Sequence, residues 1–124
     1  MKNFLKTNGF SLLELLVALV ILSLSLVALA GLMTTTTKNN AFGNYITEAT
    51  TMAQDKLEEI RALPWNNISG YSDMKEGSTG IKYKRSWEVR DLNPNLKEVE
   101  VTIQWRDSSF HSLKFLYVVS NSEV

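Results

Sequence analysis

The chain has 124 residues, 44% of them hydrophobic and 21% charged, a length that allows one modest core and one domain. Its 13 basic and 13 acidic residues balance without a long run of either sign, which argues against nucleic acid as a partner. Cysteine is absent, so disulfides and thiolate metal sites are excluded. A chain of this length also leaves little space for an enzyme cleft.

A hydrophobic segment, residues 10–33, dominates the N-terminal part of the chain, and Glu14 is its only ionisable residue. As a helix rising about 1.5 Å per residue, it reaches roughly 36 Å, enough to cross a hydrocarbon core of about 30 Å. The preceding residues 1–9 carry two lysines and no acid, which predicts that this end stays in the cytoplasm. We therefore expect one membrane span, with residues 34–124 on its outer side.

Three interpretations fit a basic leader followed by a hydrophobic run. An ordinary secretory signal would be cut after Ala28-Leu29-Ala30, so that a secreted binding domain begins at Gly31. An uncleaved single-pass anchor would need no cut. Glu14 argues against both of these, because an acid within a span costs on the order of 2.5–3.5 kcal/mol and usually has a partner.

The third interpretation, a cut after Gly9, supplies that partner. It creates a new amine at Phe10, four residues before Glu14, and an amine with an ordinary pKa of about 8 is mostly protonated near neutral pH. The string Gly9-Phe10-Ser11-Leu12-Leu13-Glu14 resembles the cleavage and methylation motif of type IV prepilins and type II secretion pseudopilins. The resemblance implies that a prepilin peptidase cuts between Gly9 and Phe10 and N-methylates Phe10. Glu14 would then pair with the Phe10 amine of the same or a neighbouring subunit.

The resemblance also implies a function and partners. Residues 25–32 and 52–64 are similar to PilV-type minor pilins, with GspI-type pseudopilins of type II secretion as the close rival. The implied subunit is held in the inner membrane by residues 10–33, carries its head in the periplasm, and then enters a filament. Its expected partners are prepilin peptidase, other pilins or pseudopilins, inner-membrane lipid and the filament assembly platform.

Residues 34–124 are predicted to form the head. Apolar residues recur every three or four positions between 42 and 63, which predicts an amphipathic helix that ends before Pro64. Residues 64–80, rich in Gly, Ser and Asn, are predicted to form a loop. Alternating apolar and polar residues between 81 and 119 predict about three antiparallel strands with one apolar face. The apolar helix face consists of Phe42, Ile46, Ala49, Ala53, Leu57, Ile60 and Leu63.

The apolar face of this sheet needs a cover, and the helix over residues 42–63 is the only large candidate in the chain. We therefore predict an α+β fold with a lollipop outline. The hydrophobic half of a long N-terminal helix protrudes, and its second half packs on the small antiparallel sheet. The pilin family has the same outline, so the resemblance and the periodicity imply the same fold.

No catalytic, cofactor or metal site is predicted in the head. His111 stands alone, without a cysteine or a second histidine, and is expected on the surface or in a turn. The segment that begins at Asp91 superficially resembles a calcium loop. It has Leu96 where such a loop needs glycine and Thr102 where it needs glutamate, whereas Pro94 suits a hairpin turn.

Overall fold

A computed structural model describes residues 8–122. In this part of the chain it contains one α-helix, α1 (Leu12–Arg61), one short 3-10 helix (Trp65–Asn67) and four strands, β1 (Tyr71–Glu76), β2 (Lys82–Asn93), β3 (Leu96–Arg106) and β4 (Phe110–Ser120). The predicted α+β class is confirmed. Residues 1–7 of the predicted leader lie outside the described residues. The chain divides into two compact units at the boundary between Ala41 and Phe42.

The first unit holds the N-terminal part of α1. Residues 12–40 are helical and exposed throughout, including the threonine-rich stretch at 34–37. Because threonine is β-branched, it lowers helix propensity, but here the threonine hydroxyls donate hydrogen bonds back to the helix. The bonds, at 2.9–3.1 Å, run from Thr34, Thr35 and Thr37 to the carbonyl oxygens of Ala30, Gly31 and Met33. The helix therefore continues through a polar stretch without leaving these hydroxyls unpaired.

The second unit contains a four-stranded sheet in the order β1-β2-β3-β4, with every neighbouring pair antiparallel. A tight turn joins β2 to β3, and the Asn95 amide donates to Asn93 Oδ1 across it at 2.8 Å. Asp91 and Thr102 both lie within strands, on the two sides of this hairpin. The predicted hairpin turn around Pro94 is confirmed, and the geometry differs from that of a calcium loop.

The core of the second unit lies between the sheet and one face of α1. Ala49 and Ala53 of α1 are fully buried in this core. Two residues at the ends of the predicted apolar face are less buried, since Phe42 is 39% exposed and Leu63, beyond the end of α1, is 45% exposed. The core cluster consists of Ala49, Ala53 and Ile60 from α1, Ile68, and Tyr83, Val99, Val101, Ile103 and Trp105 from β2 and β3.

The predicted count of about three strands was low by one. The extra strand, β1, lies within residues 64–80, which were predicted as a loop and which also contain the 3-10 helix. Five of the six residues of β1 are exposed, and the strand lies at an edge of the sheet. A strand with no buried face has no need of alternating apolar residues, so the usual sequence signal is missing.

Gly77, in the turn between β1 and β2, lies where a side chain does not fit. A Cβ at this position would lie 2.5 Å from Glu48 Oε2 and 2.7 Å from Cε2 of Tyr83. We expect Gly77→Ala to lower the free energy of unfolding by about 1–3 kcal/mol, because the crowded groups must move. Urea unfolding of the full-length protein in detergent micelles, followed by tryptophan fluorescence, measures this change.

The matched control is Gly43→Ala. A Cβ at Gly43 meets nothing within 4 Å, and the residue lies inside α1. This change should raise the free energy of unfolding by about 0.5–1 kcal/mol, since alanine favours a helix more than glycine does. Equal effects of the two substitutions would contradict the packing that we describe around Gly77.

Candidate functional site

The predicted processing junction lies at the start of the described chain. Gly9 and Phe10 precede α1, are not helical and are exposed, with Phe10 87% exposed. A Cβ added to Gly9 would meet nothing within 4 Å. The peptide bond between the two residues is therefore sterically open to an enzyme.

Ser11 fixes where α1 begins. Its carbonyl oxygen accepts a hydrogen bond from the Leu15 amide at 3.1 Å, the first bond of the helix ladder. Its hydroxyl oxygen accepts one from the Glu14 amide, also at 3.1 Å. These two bonds define an N-cap, in which a side chain satisfies a backbone donor that the helix leaves free. The sequence interpretation named Ser11 only as part of the motif, although serine three residues before glutamate is a capping signal.

Glu14 lies in the first turn of α1, with an exposed side chain. A negative charge at this end of a helix is favoured by the aligned peptide dipoles. In the uncut chain the Phe10 nitrogen belongs to a peptide bond and carries no charge. The predicted pairing of Glu14 with Phe10 therefore arises only after cleavage, and it stays a prediction.

The apolar segment that follows is exposed on all sides, since the large side chains between Leu12 and Met33 are 50–83% exposed. Within the described residues, α1 is the one helix long and apolar enough to cross a membrane, a test that a signal sequence also passes. Two serines inside this segment donate their hydroxyls to the helix, Ser23 to the Val20 carbonyl and Ser25 to the Ile21 carbonyl, both at 2.8 Å. Such internal bonds let hydroxyl groups enter lipid without losing their partners.

Residues 5–30 match the family described as the prokaryotic N-terminal methylation motif. The chain carries a prepilin-type motif. The match includes Gly9, Phe10 and Glu14 and ends before the head begins. Comparisons with curated proteins and with solved structures gave no match.

This motif is consistent with a type IV prepilin-like family and supports a type IV pilin-like or pseudopilin precursor that prepilin peptidase processes. It implies assembly with other pilins. Together with the apolar N-terminal helix, it suggests anchoring in a membrane followed by entry into a filament.

A cluster of four charged side chains, of which the two cations are buried, joins α1, β1 and β2 in the head. Arg85 of β2 is 1% exposed, and its Nε and Nη2 donate to Oδ1 and Oδ2 of Asp73 on β1 at 2.7 and 2.5 Å. Its Nη1 donates to the carbonyl oxygen of Met52 on α1 at 3.3 Å. Because the arginine–carboxylate contact uses two parallel bonds, it fixes geometry as well as contributing energy. One side chain thereby ties three elements together.

Lys56 of α1 extends this cluster and is 7% exposed. Its Nζ pairs with Glu59, lies 3.7 Å from Asp73 Oδ2, and lies 4.1 Å from the centre of the Trp87 ring. An ammonium group over an indole face is attracted by the negative charge density of the ring. Two buried cations are thus held by two carboxylates and one aromatic ring.

The sequence interpretation missed this charged cluster. The signal was present, because Arg85 has the same alternation phase as the residues predicted to face the core. An arginine in that phase has to be paired if it is buried. The residues that share its phase are Ile81, Tyr83, Trp87 and Val89.

Glu48 forms a second polar contact between α1 and the sheet. Its Oε1 accepts from the Ser78 amide at 2.6 Å, and its Oε2 accepts from the Tyr83 hydroxyl at 2.8 Å. The hydrogen bonds from Ser78, and then that from Tyr83, lower the pKa of Glu48. Burial, followed by the bond to Glu48, raises the pKa of Tyr83. The carboxylate therefore stays ionised, and the phenol stays neutral, at neutral pH.

In the charged cluster, too, hydrogen bonds between side chains shift the pKa values of both partners. The hydrogen bonds from Arg85 lower the pKa of Asp73, and the bonds to Asp73 raise the pKa of Arg85. The bond from Lys56 lowers the pKa of Glu59. For Asp73, Arg85 and Glu59 these directions favour the charged forms, which is what ion pairing produces.

His111 lies at the start of β4 and is partly buried. Its Nε2 is 2.9 Å from Asp107 Oδ1, and its ring stacks on Trp105 with the centres 5.3 Å apart. The Phe42 ring lies 5.0 Å away on a tilted plane. The expected surface or turn position differs from the observed one, because His111 lies within β4 and is partly buried against Trp105 and Phe42.

Proposed function

We propose that this chain is a minor pilin of a type IV pilus, with a structural and not an enzymatic role. The observation that carries the proposal is an exposed Gly9–Phe10 junction, followed directly by a capped apolar helix with one acid in its first turn. In this proposal residues 10–33 cross the inner membrane once, with the head in the periplasm. Prepilin peptidase removes residues 1–9 and methylates Phe10. An assembly platform then transfers the subunit into the filament.

The same apolar surface serves both steps of this proposal. The large side chains between Leu12 and Met33 are exposed around the whole helix, so they can contact lipid first and neighbouring helices afterwards. In a bundle of such helices, packing and the exclusion of water replace the contacts with lipid. The transfer therefore needs no refolding of α1.

Glu14 gives the proposed assembly its register. A subunit docks where its carboxylate meets the Phe10 ammonium of a neighbour, and methylation of that amine keeps its charge. A subunit shifted along the axis leaves a buried charge unpaired, which costs several kcal/mol. The apolar side chains alone specify no position along the helix, since most of them are leucine or valine.

A minor pseudopilin of a type II secretion system is the second candidate, favoured by the same junction and helix. The two roles predict different phenotypes when the gene is deleted, loss of pili in one case and loss of protein secretion in the other. The minor pilin is preferred because residues 25–32 and 52–64 are similar to PilV-type minor pilins. A secreted binding domain that begins at Gly31 is the third and weakest candidate.

Mass spectrometry of the protein from its own cells should find a chain that begins at N-methylated Phe10.

Gly9→Val should leave at least tenfold more uncut precursor. Because a Cβ at Gly9 meets nothing within 4 Å, the fold does not oppose this substitution, and a block in cleavage would report on the enzyme.

Gly31→Val is the matched control, since a Cβ at Gly31 also meets nothing within 4 Å. It should leave cleavage unchanged. A mature chain that begins at Gly31, or a cleavage defect in Gly31→Val alone, would show that the chain is cut as an ordinary secretory signal.

A further inference from the structure

Two residues near the junction are good N-caps, Asn8 and Ser11, and asparagine and serine rank close together in this role. The structure uses Ser11, whose hydroxyl and carbonyl oxygens accept the Glu14 and Leu15 amides. Residues 8–10 are consequently outside the helix and exposed. The choice between the two caps decides the conformation of the bond between Gly9 and Phe10.

A helix that began at Asn8 would place Gly9 and Phe10 in its first turn. In such a helix the Gly9 carbonyl oxygen would accept the amide of the residue four positions later, Leu13. The carbonyl carbon that a peptidase must attack would then belong to a hydrogen-bonded helical turn. With the cap at Ser11, the Gly9 carbonyl lies before the helix, and the chain around it is free to extend along an enzyme surface.

We infer that Ser11 is a positioning residue for processing. By capping α1 it keeps the Gly9–Phe10 bond out of the helix, in the conformation that prepilin peptidase binds. Ser11 touches neither the scissile carbonyl nor the enzyme in this role, and it acts through the start of the helix. The inference rests on the proposed processing after Gly9, and it adds the reason that the motif has a serine between the cut and the acid.

The size of the effect follows from the strength of a cap. Loss of a serine cap costs about 1 kcal/mol, which shifts the equilibrium from the helix that begins at Ser11 toward the helix that begins at Asn8 by about fivefold. When only a fraction of the substrate molecules can bind, the apparent dissociation constant equals the intrinsic one divided by that fraction. The bound complex itself is unaffected. If both starts were equally populated in the wild type, a fivefold shift would lower the competent fraction from about one half to about one sixth. Ser11→Ala should therefore raise the KM of cleavage by up to about threefold and leave kcat unchanged.

The experiment uses the full-length chain in detergent micelles with purified prepilin peptidase, and it follows release of the leader by mass spectrometry. Ser11→Asn should restore the wild-type KM, because asparagine caps as well as serine does. Asn8→Ala in the Ser11→Ala background should also restore it, since the competing cap is removed. Amide hydrogen exchange should show new protection in Ser11→Ala alone, at the Leu12 amide through its bond to the Asn8 carbonyl and at the Leu13 amide through its bond to the Gly9 carbonyl.

The results separate the failure of the inference from the failure of the proposed function. If the wild-type chain is cut after Gly9 and Ser11→Ala is cut with the same KM, the inference is wrong and the function stands. If Ser11→Asn and the double variant keep the raised KM of Ser11→Ala, the enzyme contacts the serine hydroxyl directly, and the inference is wrong. A wild-type chain that is not cut after Gly9 overturns both.

Discussion

Glu14→Ala is expected to be inserted, cut and methylated normally, and to enter filaments at least a hundredfold less than the wild-type chain. The Phe10 ammonium of the neighbour would have no carboxylate, and breaking a buried ion pair by removing one partner costs about 3–5 kcal/mol. A loss of 2.8 kcal/mol already corresponds to about a hundredfold. Purified filaments and membranes, compared by quantitative mass spectrometry, measure the incorporated fraction.

Two further substitutions identify the charge as the cause. Glu14→Gln keeps the size of the side chain and the backbone amide that donates to Ser11, but it removes the negative charge. It should therefore enter filaments as poorly as Glu14→Ala does. Glu14→Asp keeps the charge with a shorter reach and should retain part of the incorporation. The loss of a favourable helix-dipole contact costs only about 0.3–1 kcal/mol, too little for a hundredfold effect. Normal incorporation of Glu14→Gln would show that Glu14 does not set the register.

The junction could be predicted from sequence because its signals are local. Gly9, Phe10 and Glu14 are recognised by their spacing and by one acid in an apolar run, and the methylation-motif match covers all three. The signal for a cap at Ser11 is equally local, but the sequence interpretation did not consider it, and Asn8 is a cap of similar strength. In the structure it is Ser11 that begins the helix.

The helices and strands of the head could be predicted where one face is buried, because burial makes apolar residues recur at regular spacing along the sequence. The helix over residues 42–63 and the strands between 81 and 119 were found because one face of each is buried. Strand β1 was missed because its edge position buries almost nothing. Arg85 was missed although its phase placed it in the core, because its partners Asp73 and Met52 are distant in sequence and no local pattern joins them.

Asp73→Ala is expected to lower the free energy of unfolding of the head by about 3–5 kcal/mol, more than the removal of Arg85 itself. Arg85 is 1% exposed and would keep only its bond to the Met52 carbonyl, so a buried cation would be left without its carboxylate. Arg85→Met should cost less, about 1–2 kcal/mol. The Asp73 side chain is 34% exposed and lies 3.7 Å from Lys56, so water and a second cation remain available to it.

The double variant Asp73→Ala/Arg85→Met should be more stable than Asp73→Ala alone, because the unpaired buried charge is gone and methionine fills much of the space. Urea unfolding of the full-length variants in micelles gives these differences, and a double variant that folds where Asp73→Ala does not leads to the same conclusion. Glu58→Ala is the control, since its side chain is 75% exposed, its partner Arg61 is 53% exposed, and a surface pair contributes about 0–1 kcal/mol. If the two single losses in the cluster simply add in the double variant, Arg85 and Asp73 act independently, and the cluster does not hold β1 on the helix as a unit.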